Sequence, residues 1–169
     1  VFDKTGTLTK AQPTVRDVIC FHGANRDEML RVAACLEEHF PHPVARAVVR
    51  RAEDEGLTHA EEHAEVEYVV AHGIASRLHG KRVLVGSRHY VGYDEGVDLA
   101  PAEDLIRELS GQGRSLLYLA LDGELAGIVA LEDPVRPEAA AVLTALANRG
   151  LSTAMLTGDD ERTAAAVAA

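Results

Sequence analysis

The first residues with an evident chemistry are Asp3, Lys4, Thr5, Gly6 and Thr7, which run on into Leu8 and Thr9. A carboxylate held at a strand tip can attack a phosphorus atom in line and form an acyl phosphate, dividing one difficult displacement into two easier steps. Asp3 suits that role. Gly6 lets the backbone curl closely around an anion, while Thr5 and Thr7 offer hydroxyls and main-chain groups to phosphate oxygens or Mg²⁺, and Lys4 adds positive charge. Each residue type is also common in solvated turns, so the weight lies on the uninterrupted string rather than on any member of it.

Two further groups could join such a site. Thr157, Gly158 and Asp159 follow an apolar run that ends in Leu156. Alone this is weak, because a Gly-Asp turn before a helix is commonplace and Asp160 reads equally as a helix cap. Between the two ends lies His42-Pro43, inside the stretch LEEHFPHPVARAVVRRA with Glu37 at its start. A His before a helical Pro can simply cap the helix.

The elements that carry these residues can be read from the sequence pattern. Residues 152–156 read as a buried strand, with a loop and a helix after Asp160, and Asp3 belongs at the tip of a strand far upstream. That is the pattern of a parallel α/β sheet carrying an α+β insertion. Only Val1 and Phe2 precede the motif, so more of the first strand is expected upstream. Within the insertion, Asn25 and Glu28 form a capping-box pattern, and Leu30, Ala33, Leu36 and Phe40 recur at helical spacing, predicting a helix over about 26–38. Pro43 opens a second helix carrying Val44, Ala47 and Val48, and Gly56 stops it. Alternation over 65–70 places Val66, Tyr68 and Val70 on one face of a strand. Residues 74–78 and 82–85 flank His79-Gly80, and 116–121 and 125–131 flank Asp122-Gly123, two hairpin signals. A short helix with Leu105 and Leu109 ends near Gly111, and Pro137 opens another with Val142, Leu143 and Leu146 that Gly150 ends.

A chain of 169 residues is long enough for one domain or two small ones, and its apolar content of 47% with aromatics at only 4% predicts an aliphatic core. The formal net charge of −10 argues against a nucleic-acid partner and against a polybasic membrane anchor, although local cations and backbone N–H groups can still hold a nucleotide. Cys20 and Cys35 form no CxxC, so they support neither a disulfide framework nor a zinc knuckle and are expected to be core thiols. No signal peptide and no membrane-spanning apolar run is present in the sequence.

The string DKTGT resembles the phosphorylation motif of P-type ATPases, which are built on the haloacid-dehalogenase-like fold. Thr157-Gly158-Asp159 resembles the TGD motif of that family, EDPVRPEA over 132–139 resembles the segment where its phosphorylation domain resumes, and His42-Pro43 resembles the signature of the heavy-metal-transporting subclass. The resemblance implies an incomplete parallel α/β phosphorylation domain, residues 1–12 and 132–169, interrupted by an α+β nucleotide-binding domain, 13–131, with an antiparallel sheet and flanking helices. It implies that Asp3 takes phosphate from ATP with Lys4, Thr5 and Thr157 as catalytic partners, and that Gly6, Thr7 and Gly158 form the phosphate loop. Asp3 and Thr5 would face Mg²⁺, Glu37, His42 and Gly73 would surround adenine, and Asp159 would help to seat the nucleotide. Where the subclass has Gly-x-Gly, this sequence has Ala71-His72-Gly73, so the backbone geometry usual there is in question.

The implied partners are ATP, a heavy-metal cation bound elsewhere in a longer polypeptide, and the transmembrane and actuator domains of that polypeptide, with this segment its cytoplasmic part. The GDGxND segment of the family, which supplies a Mg²⁺-binding carboxylate, is absent from these 169 residues, so the segment alone is expected to turn over ATP poorly. Two other readings remain open. One is a soluble phosphatase of the same superfamily with Asp3 as nucleophile, although Thr5 stands where small phosphatases carry an acidic residue. The other is a noncatalytic nucleotide-binding regulator.

Overall fold

The computed structural model describes residues 1–39, 42–57, 67–69, 73–159 and 161–168. The alternating segments build an antiparallel sheet of six strands: β2 (Thr14–Cys20), β3 (Glu67–Val69), β4 (Gly73–Leu78), β5 (Lys81–Gly86), β6 (Ser115–Leu121) and β7 (Glu124–Glu132). Their order is β2-β7-β6-β5-β4-β3. His79-Gly80 joins β4 to β5 and Asp122-Gly123 joins β6 to β7, with φ of 50°, 81°, 49° and 86° at these positions. Positive φ at both central residues is what a two-residue hairpin needs to follow the twist of its strands.

Period-two alternation divides the sheet into two apolar faces. Val83, Val85, Leu117, Leu119, Val129 and Leu131 pack against α1 (Arg26–Glu37) and α2 (Pro43–Asp54). Leu84, Tyr118, Ala120 and Ile128 pack on the other side against Tyr90, Val91 and Ile106, the last on α3 (Glu103–Gly111). The register slips between Val15 and Asp17, so Val15 and then Val18 and Cys20 join the same cluster despite their uneven spacing. A bulge reverses which parity faces inward.

The helical pair forms where the caps predict it. The Asn25 side chain accepts from the Glu28 N–H at 3.0 Å, while the Glu28 carboxylate turns to Arg31 at 2.7 Å instead of back to the cap. Arg26 and Glu55 tie the start of α1 to the end of α2 through paired bonds of 2.6 and 2.8 Å. The Arg26 bonds, with Arg51 adding to them, pull the Glu55 carboxyl down to about 2. Cys35 is buried in α1, as expected, whereas Cys20 is only partly covered. The strand expected over 65–70 is described only at Glu67–Val69, which pairs with Gly73–Ala75. Val66, Val70, Ala71, His72 and Phe40 lie outside the described residues.

The ends of the chain meet in a second, parallel sheet. β1 (Phe2–Asp3) pairs with β8 (Met155–Leu156), Phe2 opposite Met155 and Asp3 opposite Leu156. The buried strand expected over 152–156 is thus reduced to two residues, and Leu156 is 65% exposed. A two-stranded sheet leaves most of that apolar run without a pairing partner. α4 (Ala139–Ala147) begins two residues after Pro137, and α5 (Glu161–Ala168) follows β8. No helix among the described residues is long and apolar enough to cross a membrane.

Candidate functional site

Beyond Asp3 the chain makes a wide turn over Lys4–Leu8, in which Thr5 (φ −77°, ψ 116°) and Gly6 (φ 85°, ψ −10°) leave helical geometry. Positive φ at the turn's apex is the reason for glycine there. The segment after β7 staples this turn. Thr9, 1% exposed, donates its hydroxyl to Asp133 and accepts from the Gly6 N–H at 3.3 Å. The second Asp133 oxygen accepts from the Gln12 N–H at 3.1 Å, and Arg136 donates to the carbonyls of Thr9 at 3.1 Å and Gly6 at 3.2 Å. The loop is therefore held from behind, and Asp3, Thr5 and Thr7 remain exposed on its outer side. Among the described residues nothing hydrogen-bonds or ion-pairs with the Asp3 carboxylate, which leaves both oxygens available to an electrophile.

Parallel pairing of β1 with β8 sets Thr157, Gly158 and Asp159 beside the loop. Lys4 is only 5% exposed and its ammonium pairs with Asp159, which offsets the cost of removing a cation from water. Asp159 also accepts from Thr157 Oγ1 at 3.2 Å and from Ser115 Oγ at 3.1 Å, and its N–H donates back to Thr157 Oγ1 at 3.1 Å. The structure thus joins Lys4, Thr157 and Asp159 into one cluster at the strand tips, adjoining Asp3. Ser115 and Thr163 escaped the sequence reading, in which Thr9 figured only as the end of the motif string; Ser115 reaches Asp159 across 44 positions and carries no local signal.

A second cluster forms at the turn between α1 and α2. His42 caps α2, its Nδ1 accepting from the Ala45 N–H at 3.4 Å. That bond requires the ring proton on Nε2, which faces Glu37 Oε2 at 3.2 Å. The pair is close enough for attraction but out of line for a hydrogen bond, so among the described residues Oε2 of Glu37, a side chain 3% exposed, has none. A buried carboxylate oxygen with unused capacity is a receptor for a donor. Gly73 opens β4 at negative φ, and a Cβ there would lie 2.4 Å from Tyr90 Cδ1 and 2.5 Å from the Val85 carbonyl. Its glycine is required by packing. The expected Ala71 contribution lies outside the described residues.

Two recesses accompany these clusters. A cleft of about 750 Å³ runs between the sheet lobe and the Gly158-Asp159 turn, lined by Ser87, His89, Tyr93, Ser115 and Tyr118. A groove of about 250 Å³ lies beside Glu37, bounded by Arg46, Arg50 and Glu53. The described contacts do not link the Glu37–His42 pair to Asp159; they form separate groups. Among the described residues no cluster of three or more His, Cys, Asp or Glu could hold a metal ion unaided. Mg²⁺ commonly takes one or two carboxylates with substrate phosphates and water, and the unpaired Asp3 carboxylate fits that more modest requirement.

Comparison with known proteins places the whole chain in a family. The haloacid dehalogenase-like hydrolase family matches residues 1–169. The chain belongs to that family. It is 38% identical over 168 residues to a copper-transporting P-type ATPase of Rhizobium leguminosarum bv. viciae, spanning 99% of this chain and 20% of that protein. A zinc-exporting P-type ATPase of Mycobacterium marinum is 38% identical over 170 residues, spanning 99% of this chain and 23% of that protein. Among solved structures, a zinc-transporting PIB-type ATPase in the E2.Pi state matches with a TM-score of 0.70 at 33% identity, over 99% of this chain and 26% of that one. The N-domain of a copper-transporting P-type ATPase matches with a TM-score of 0.58 at 27% identity, over 70% of this chain and 99% of that one. This haloacid dehalogenase-like chain therefore spans about a fifth to a quarter of the length of the curated relatives it matches.

Proposed function

We propose that this chain is the ATP-binding and phosphorylation segment of a P-type ATPase that couples ATP hydrolysis to the movement of a heavy-metal cation across a membrane. The observation that carries the reading is the Asp3 carboxylate, exposed and unpartnered at the tip of β1, beside the Lys4–Asp159 pair. In the proposed step an Asp3 oxygen bonds to the γ-phosphorus of ATP as the bond to the bridging oxygen breaks, and ADP leaves with that electron pair. The proposed roles of the neighbours follow from their placement. Gly6, Thr7 and Gly158 present backbone to the phosphoryl oxygens, Thr157 presents a hydroxyl, and Lys4 holds Asp159 in place. Mg²⁺, bound at Asp3 with Thr5 and the substrate phosphates, would neutralise charge on the transferring group.

The sheet lobe, 13–131, acts in this reading as the nucleotide-binding domain, and 1–12 with 132–169 as part of the phosphorylation domain. The Glu37 carboxylate, buried with an unused oxygen next to His42, suits the exocyclic amine of adenine, with Gly73 forming part of the same lobe. Thr5 places no general acid two residues after Asp3, which supports a long-lived acyl phosphate over rapid phosphatase turnover. Relatives named for copper and for zinc are equally similar to this chain, as expected if the ion ligands lie in transmembrane helices outside it. The segment would then lie on the cytoplasmic side of an integral membrane protein.

The intact protein, incubated with γ-labelled ATP and the appropriate metal ion, should form an acid-stable, hydroxylamine-sensitive phosphoenzyme that Asp3→Asn abolishes. Equal labelling of that variant would overturn the reading. For the nucleotide site, His42→Ala should weaken ATP binding, and ATP should shift the backbone amides of Glu37, His42 and Gly73. Unchanged affinity would remove them from the site.

A further inference from the structure

We propose that Ser115 is a positioning residue for the nucleotide in the ATP-dependent step, holding the Asp159 carboxylate across the boundary between the sheet lobe and the phosphorylation loop. The inference rests on the function proposed above and adds to it a residue from the opposite lobe. Asp159 receives donors on both oxygens: Lys4 and Thr157 on Oδ2, and Ser115 on Oδ1 at 3.1 Å. With donors on both sides the carboxylate cannot rotate about its terminal bond without giving one up. Hydrogen bonds to a charged acceptor are the stronger kind, so this one matters more than its single number implies.

The contact is built into the fold rather than made by a loose side chain. Ser115 is the first residue of β6 and pairs with Leu131 of β7, one residue before Glu132 and two before Asp133, the residue that staples the phosphorylation loop. Its neighbour Arg114 accepts at its carbonyl from Thr163 Oγ1 of α5 at 3.1 Å, and Thr163 is fully buried. Two consecutive residues of the sheet lobe thus dock on the turn and on the helix that follow β8. Ser115 and Asp159 also line the same 750 Å³ cleft, so a nucleotide entering between the lobes meets this joint. Loss of the hydroxyl frees Asp159 Oδ1, loosens the lobe at this corner and leaves the Asp3 loop itself, held by Thr9, Asp133 and Arg136, unchanged.

The test uses the intact protein that contains this chain, as wild type, Ser115→Ala, Ser115→Thr and Asp3→Asn, labelled either from ATP or from inorganic phosphate. Ser115→Ala is expected to raise the ATP concentration for half-maximal phosphoenzyme about tenfold, the scale of one hydrogen bond to a charged group, with the maximal level within about twofold of wild type. Ser115→Thr, which keeps a hydroxyl on a strand-compatible side chain, should restore it. Labelling from inorganic phosphate, which needs no nucleotide lobe, should be unaffected. An unchanged ATP dependence in Ser115→Ala, or equal losses from ATP and from phosphate, overturns the assignment while Asp3→Asn remains unlabelled. If Asp3→Asn is labelled too, it is the phosphoryl-transfer reading that has failed.

Discussion

Gly73→Ala offers the most direct quantitative check on the packing around the sheet lobe. The added methyl would sit 2.4 Å and 2.8 Å from two carbons of the Tyr90 ring and 2.5 Å from the Val85 carbonyl. Neither neighbour can step aside. Tyr90 is 2% exposed in the core beneath the sheet, and Val85 belongs to β5, which is paired on both edges with β4 and β6. Overpacking commonly costs about 1–3 kcal/mol, and a clash that includes backbone belongs at the upper end, about 3 kcal/mol. For a chain of this size that lowers the melting temperature by about 6–12 °C. Thermal unfolding followed by circular dichroism would measure it, with Gly111→Ala as control. Gly111 ends α3 with nothing within 4 Å of its added Cβ, so that variant should be neutral or slightly more stable. Trimming the ring with Tyr90→Leu in the Gly73→Ala background should recover at least about 1 kcal/mol relative to additivity. A Gly73→Ala protein that melts within about 2 °C of wild type would refute the packing argument.

Further outcomes follow from the same contacts. Asp133→Ala should destabilise the chain by about 1 kcal/mol, because it removes the acceptor of the Gln12 N–H and leaves the buried Thr9 hydroxyl only the Lys4 carbonyl at 3.2 Å; urea unfolding of the variant against wild type checks this. Asn25→Ala should cost about 1 kcal/mol through the lost cap on the Glu28 N–H, visible as a lower urea midpoint at unchanged slope. Glu55 has its pKa depressed from 4.5 to about 2, so its pairing with Arg26 and Arg51 stabilises fully above about pH 4.5 and is lost as pH falls toward 2. Glu55→Gln should therefore flatten the fall in stability across that window and leave the rest of the pH profile in place. An identical acid limb in the variant would show that the ion pair contributes nothing measurable.

Much of the chain was determined by local sequence. The Asn25 cap, Pro43 at a first helical turn and the positive-φ pairs His79-Gly80 and Asp122-Gly123 act within a few residues, so the helices and hairpins of the sheet lobe could be read before any long-range contact was known. The close turn after Asp3 was legible for the same reason, since Gly6 sets its positive φ within five consecutive residues. What only the tertiary structure decided depends on distance along the chain. The bulge beside Val15 hides its strand from strict alternation, and Leu156 proved exposed because a strand's burial is set by what pairs with and covers it, which its own residues do not encode. Lys4 meeting Asp159 and Ser115 reaching the same carboxylate arise from residues 155 and 44 positions apart. No spacing rule spans such separations; the parallel pairing of β1 with β8 brings Lys4 and Asp159 together, and the docking of β6 beside that joint adds Ser115.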